Sequence, residues 1–245
     1  MKKRQSIRKA IILISFLLFP VTVYFFSPAL ILQGASEGVV AGSMITFALL
    51  FLFAFIFGRA FCSWICPSGG LQECARLAND KPFRHPRWNW IKAAIWVPWV
   101  LLIVILAIKA GGFHAIKPLY QMEDGIPLSE SQGVVIYFGV LFFILAPALL
   151  AGRRSFCHMF CWISPFMIIG SWIRNRLRLP GLRLTSNKDD CIHCGACDKK
   201  CPMSLQVEKL VSKGNMRNAE CILCGECVDV CPKKVIHFSW KDDKR

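Results

Sequence analysis

Two runs of cysteine set the terms for everything else in this chain. Cys191, Cys194, Cys197, Cys201 and Pro202 recur thirty residues later as Cys221, Cys224, Cys227, Cys231 and Pro232, so both runs read C-x2-C-x2-C-x3-C-P. Two-residue gaps let a tight loop aim successive sulfurs at one point, which is what a cubane 4Fe–4S cluster asks of its four thiolates. Gly195 and Gly225 give that loop its room. A zinc ribbon wants paired C-x2-C knuckles, not a third and fourth cysteine followed by proline. A disulfide framework needs an oxidising compartment, which the topology below argues against.

Along its whole length this stretch resembles the bacterial two-cluster ferredoxins. In that family the fourth cysteine of each run serves the other cluster. The resemblance therefore implies Cys191, Cys194, Cys197 and Cys231 around cluster 1, and Cys221, Cys224, Cys227 and Cys201 around cluster 2.

A ferredoxin accounts for only the last quarter of the chain. The 245 residues are 55% hydrophobic and 18% charged, with a mean hydropathy of +0.46, too apolar for an ordinary soluble domain. Uncharged runs at about 10–32, 39–57, 90–108 and 134–151 predict four transmembrane helices, with Pro98 and Pro147 as kinks inside the last two. The first run follows Lys2, Lys3, Arg4, Arg8 and Lys9 and is too long for a signal peptide. The expected fold is an α-helical polytopic membrane protein with a small α+β two-cluster ferredoxin domain at its C-terminus. Its parts are a four-helix domain at 1–162, a basic interfacial linker helix at 163–185 and the ferredoxin at 186–245.

Charge sets the orientation. The N-terminal tail and the loop from Arg59 to Arg87 are basic, whereas the other loops hold Glu37 alone, or Lys109 and Lys117 against Glu123, Asp124 and Glu130. The positive-inside rule then predicts a multi-pass protein of the cytoplasmic membrane with both termini and the clusters on the cytoplasmic side. The formal charge of +15 is explained by this flanking of spans, and no nucleic-acid partner is expected. Tryptophans 64, 88, 90, 96, 99, 162 and 172 crowd the span ends and read as an interfacial belt. Arg174, Arg176, Arg178 and Arg183, beside Phe166, Ile168, Ile169 and Trp172, read as a helix lying among anionic headgroups.

A second repeat lies at the span exits. Gly58 to Pro67 contains Cys62 and Cys66, and Gly152 to Cys161 contains Cys157 and Cys161, each pair four residues apart and so on one helix face. The combination of C-x3-C-P after one span, C-x3-C after a later one and a terminal two-cluster ferredoxin resembles the NapH-type membrane ferredoxins, the quinol dehydrogenase membrane component family. The second copy departs from the pattern, with Trp162 after the cysteine and the proline delayed to Pro165. The resemblance implies an electron-transfer subunit of an oxidoreductase complex. It would pass electrons between the quinone pool and a redox partner protein, of ferredoxin type or a cytochrome subunit.

The four exit cysteines are open to three readings: a third metal site, redox-active thiols, or plain apolar packing. Cys74, outside both repeats, reads as a free thiol. His158, between Cys157 and Cys161, is a candidate catalytic residue to orient quinol or take its proton. His193, inside the ferredoxin loop, is a candidate hydrogen-bond donor to sulfur; His114 belongs to the outer loop, and His85 and His237 to the surface. The alternative function is a membrane-anchored ferredoxin scaffold, redox sensor or maturation factor without quinone chemistry. A helix is expected at 205–212 and a closing strand at 235–240.

Overall fold

The computed structural model describes residues 3–121 and 131–240. Lys2, the acidic residues Glu123, Asp124 and Glu130, and the tail from Lys241 to Arg245 lie outside the described residues.

The first apolar run does not form one helix. Helix α1 (Lys3–Leu17) gives way at Leu18 to α2 (Phe19–Thr22), then to a 3-10 turn at Val23–Phe26, and α3 (Pro28–Ser36) starts afresh. Proline stands without loss only in the first turn of a helix, and Pro20 and Pro28 both do so here. They cut the run into pieces, and the direction changes by 58° between Lys3–Leu17 and Phe19–Phe26. At the second interruption two tryptophans reach the backbone: Trp162 Nε1 donates to Phe26 O at 3.0 Å and Trp99 Nε1 to Pro28 O at 3.3 Å. Two tryptophans read as an interfacial belt thus stitch a broken helix.

The second run also begins differently from expectation. Val39–Ala41 forms strand β1, paired in parallel with β2 (Ala115–Lys117), and only then does α4 (Gly42–Phe57) begin. Two short helices follow, α5 (Phe61–Trp64) and α6 (Pro67–Ala75). Next come α7 (Ile91–Lys109) and α8 (Ser131–Ala151), then α9 (Ser155–Met159) and α10 (Ser164–Arg176).

Among the described residues two helices are long and apolar enough to cross a membrane, Arg87–Lys109 and Gly133–Ala151, and the bent pair at the N-terminus makes a third if it counts as one span. Helix α4 has 16 residues, about 24 Å at 1.5 Å each, against roughly 30 Å of hydrocarbon. The expectation of four spans therefore becomes two or three.

The helices pair in a crossed fashion. Helix α4 packs on α10, and α8 packs on α6, so each long apolar helix lies against the short helix that follows the other's cysteine pair. Along α4, Phe47 meets Phe166 at 5.4 Å and Phe51 and Ala54 receive Gly170, so the two helices run the same way. A Cβ on Gly170 would lie 2.9 Å from both Ala54 Cβ and Phe51 O, and only glycine permits this approach. The helix of the basic linker, α10, packs one face on α4. It buries Met167, Gly170 and Arg174 against α4 and leaves Trp172 exposed.

The ferredoxin part follows its expected plan. Strand β3 (Arg183–Ser186) pairs antiparallel with β4 (Ile236–Ser239), enclosing α11 (Ala196–Lys200), α12 (Val207–Ser212) and α13 (Glu226–Val230). One hydrophobic core runs from Phe47 and Ile144 through the exit cysteines to Met203, Ile222 and Ile236. The ferredoxin is thus packed onto the helix ends.

Candidate metal centres

The ferredoxin loops repeat in backbone as well as in sequence. His193 and Leu223 take φ of 52° and 53°, Gly195 and Gly225 take 65° and 74°, and Ser204 and Lys234 take 50° and 54°. Three left-handed residues per repeat, two of them non-glycine each time, turn successive amides inward to form an anion-binding nest. Amides of Leu223 and Glu226 point at the sulfurs of Cys221 and Cys224, and those of Met203 and Leu205 at Cys201. Burial pushes these thiols up, Cys221 and Cys201 to about 11 and Cys224 to about 12. Metal binding replaces those protons and supplies the missing charge.

Two pockets result. One is lined by Cys191, Cys194, Cys197 and Cys231, the other by Cys201, Cys221, Cys224 and Cys227. The residues present fit two clusters, each receiving the fourth cysteine of the other run. His193 bonds Glu208 at 3.2 Å, not a cysteine sulfur.

The exit cysteines converge as well. Cys62, Cys66, Cys157 and Cys161 are all buried, and all four thiols lie within electrostatic reach of one another. Cys62 Sγ is 3.6 Å from Met167 Sδ, and Gln72 Nε2 donates to Cys157 Sγ at 3.2 Å. Burial pushes Cys161 up to about 12 and Cys66 well above the usual thiol range. Cys74 is a half-buried free thiol away from this group.

Ion pairs that sequence reasoning missed join the exits to the ferredoxin. Glu220 accepts from Arg59 at 3.0 Å and from Lys92 at 2.5 Å. Glu226 accepts from Arg8 at 2.8 Å and Arg76 at 3.2 Å, and Glu73 bonds Arg8, Arg76 and Arg154. Arg4 and Gln5 hold Asp229. Arg4, Arg8, Arg59 and Arg76, read as cytoplasmic flanking charge, are thereby committed to internal carboxylates. The available signal was the placement of Glu73, Glu220 and Glu226 within one turn of cysteines in an otherwise acid-poor chain.

His158 is buried, stacked on Phe83 at 4.6 Å, with Nδ1 2.7 Å from Asn89 Oδ1. Burial lowers it to about 4, so it stays neutral near pH 7. His85 is exposed and stacks on Trp88, His237 is exposed on β4, and the amide of His114 donates to Gly38 O. Two clefts open beside the metal sites. One of about 610 Å³ is lined by Arg59, Arg174, Arg176 and Arg217 with Trp172 and Cys221. The other, of about 390 Å³, is lined by Phe53, Phe57, Phe61, Trp64, Leu223 and Phe238.

Comparison with known proteins bears on both cysteine repeats. A 4Fe–4S dicluster domain matches residues 190–236, and a 4Fe–4S binding domain matches twice, at 40–90 and 132–180, each time over one long helix and its exit cysteines. The chain carries ferredoxin-type 4Fe–4S domains. It is homologous to YccM of Escherichia coli K12, 25% identical over 74% of this chain and 52% of that one. It is likewise similar to the uncharacterized protein MJ0750 of Methanocaldococcus jannaschii, 29% identical over 76% of this chain and 75% of the relative. With the methylamine utilization ferredoxin-type protein MauN of Paracoccus denitrificans it is 27% identical over 71% of this chain and 60% of the relative. The chain thus spans about half the length of YccM and three fifths of MauN. No solved structure matches it.

Proposed function

We propose that the protein is a NapH-like membrane electron carrier that moves electrons between the quinone pool and a redox partner. One observation carries this reading: the cysteine-lined ferredoxin pocket at Cys201, Cys221, Cys224 and Cys227 shares a single hydrophobic core with the exit cysteines and the apolar helices. The name of YccM, which assigns it provisionally to electron transport, and the ferredoxin-type name of MauN support the same class.

Bound to these thiolates, 4Fe–4S clusters supply one-electron carriers. The chain's own residues do the rest. The Arg8–Glu226 and Arg59–Glu220 pairs fix the ferredoxin against the helix ends, and burial keeps water from Cys201, Cys224 and Cys227. The quinone head is assigned to the 390 Å³ aromatic cleft, where Phe53, Phe57 and Trp64 face Leu223, which stands between Cys221 and Cys224. His158 does not line that cleft, and the proton-acceptor role expected of it is not retained. Orientation rests on the exposed cations that remain in the N-terminal segment and the 59–87 loop, Lys3, Lys9, Lys81, Arg84 and Arg87, which favour the cytoplasmic face for this end of the molecule.

The test is anaerobic protein in nanodiscs with menaquinol or ubiquinol analogues, followed by EPR. Quinol should reduce, or quinone oxidise, the ferredoxin centres, and Phe57→Trp should raise the quinol KM by filling the cleft while leaving iron content intact. Centres that stay inert to both quinone forms would end this reading in favour of a scaffold.

A further inference from the structure

The larger cleft, of about 610 Å³, takes no part in the function proposed above, and it is built from two unlike parts of the chain. Helix α10 supplies one wall. Its Met167, Gly170 and Arg174 are buried, with Gly170 on α4, while Ile168, Trp172 and Arg176, spaced by four residues and so on one face, line the cleft. Trp172 is 63% exposed there, an unusual place to leave the side chain with most apolar area to bury. The opposite wall belongs to the ferredoxin, from Met216 through Ala219 to Cys221.

Charge sets this cleft apart. Arg59, Arg174, Arg176, Arg178, Arg183 and Arg217 all line it, and among the described residues no aspartate or glutamate does. Three of the arginines are held by the protein itself: Arg59 pairs with Glu220, Arg174 donates to Leu182 O and Arg183 to Leu179 O. Arg176 and Arg178 differ, for both are exposed and neither pairs with an acid among the described residues. Arg178 also takes φ of 55° just past the end of α10, where glycine normally stands. Strain kept at such a position marks a side chain with a use.

Apolar surface leads up to these cations. On α4, Leu49, Leu52 and Ile56 follow one another at three and four residues and are each more than half exposed. The helix then ends at Gly58, in the wall of the cleft, and Ile56 O accepts from the amide of Leu182, another lining residue. A hydrocarbon-facing stripe thus runs into a pocket of guanidinium groups.

We propose that this cleft is a binding site for one anionic phospholipid, its phosphate held by Arg176 and Arg178 and its acyl chains lying along Trp172 and the exposed face of α4. The sequence places these arginines among headgroups at large; the cleft gathers them into a single site. Guanidinium forks match the oxygens of a phosphate, and the apolar wall matches methylene groups. Free phosphate satisfies the first and leaves the second bare. An acidic protein segment does the same. The volume lies within the range of small-molecule sites and suits a headgroup with its glycerol. Because one wall is α10 and the other the ferredoxin, the lipid ties the two together at the membrane boundary.

The experiment uses anaerobically purified, cluster-loaded full-length protein in phosphatidylcholine nanodiscs with increasing phosphatidylglycerol, released for native mass spectrometry. One phosphatidylglycerol should be retained per chain. Arg176→Gln/Arg178→Gln should weaken its apparent affinity roughly 25-fold for two cations removed. Arg176→Lys/Arg178→Lys, which keeps the charge, should recover most of that loss, and iron content and ferredoxin EPR signals should be the same in all three proteins. Trp172→Ala should weaken phosphatidylglycerol as well. Equal retention of the two lipids, or retention unchanged in the glutamine variant, would overturn the site. Displacement of the lipid by inorganic phosphate at millimolar concentration would give the cleft to a free anion. Binding of polyglutamate with the same arginine dependence, and no retained lipid, would give it to an acidic protein; either result overturns the lipid.

Discussion

Replacing Glu220 by glutamine should loosen the ferredoxin from the helix ends. Its carboxylate, 11% accessible, accepts from Arg59 and Lys92, whose side chains are 3% and 4% accessible. Burial alone would raise the Glu220 carboxyl, but Arg59 and Lys92 outweigh it and hold the group below the usual range. Glutamine keeps the shape and removes the charge, leaving two buried cations without a carboxylate. Breaking a buried pair in this way costs about 3–5 kcal/mol, or roughly a 100- to 4,000-fold shift toward the undocked form at 1.4 kcal/mol per factor of ten. Hydrogen exchange on nanodisc-embedded protein reads that shift directly, as lost protection across 187–239. Adding Lys92→Met to Glu220→Gln returns the charge balance and should recover at least half of the protection. A single variant that changes protection less than about fivefold, or a double variant no better than the single, would refute the reasoning.

Glu73, held at about 2 against its burial by Arg154, Arg8 and Arg76, has a depressed folded-state value. Its contribution is therefore complete above pH 4.5 and lost as pH falls from 4.5 towards 2, and thermal melts should show that loss in the parent protein and not in Glu73→Gln. Gly170→Val drives a side chain into Phe51 O and Ala54, costing about 1–3 kcal/mol of stability and exposing α10 to protease. His193→Gly, at an exposed position with φ of 52°, removes left-handed strain and should raise the melting temperature of the ferredoxin segment by the equivalent of about 1 kcal/mol. The weak pair with Glu208 that it forfeits is exposed and offsets little of this.

The ferredoxin was legible because metal ligation imposes fixed spacing, and spacing survives translation into structure: α12 and β4 lie where the intervals placed them. The long apolar helices α7 and α8 were legible for the same reason that hydropathy works at all, since nothing but helix satisfies twenty apolar residues. What hydropathy does not register is backbone geometry. Pro20 and Pro28 leave the run from Ala10 to Leu32 as apolar as before while dividing it in three. Nor does charge counting distinguish a lysine facing water from an arginine facing a carboxylate far along the chain. Arg8 was read as flanking charge and is wholly buried, as is Arg154. The crossing of α4 with α10 turns on one small residue, Gly170, and no periodicity announces which helix a glycine will admit.

The pairing of Arg4 with Asp229 joins residues 225 apart, and Gln5 reaches Cys224 across 219. A ribosome therefore releases the first helix long before its partners exist. During that interval Arg4 and Gln5 lack Asp229 and Arg8 has Glu73 but not Glu226, and the last cysteine run is the segment that closes the molecule. Biogenesis thus acquires an order: helices are placed first, and final docking awaits a C-terminal segment whose own fold depends on metal. Assembly of the metal sites is in this way coupled to completion of the membrane part, and a chain truncated before Glu226 loses the C-terminal half of its opening helix's anchorage, keeping α6 and the Arg8–Glu73 pair.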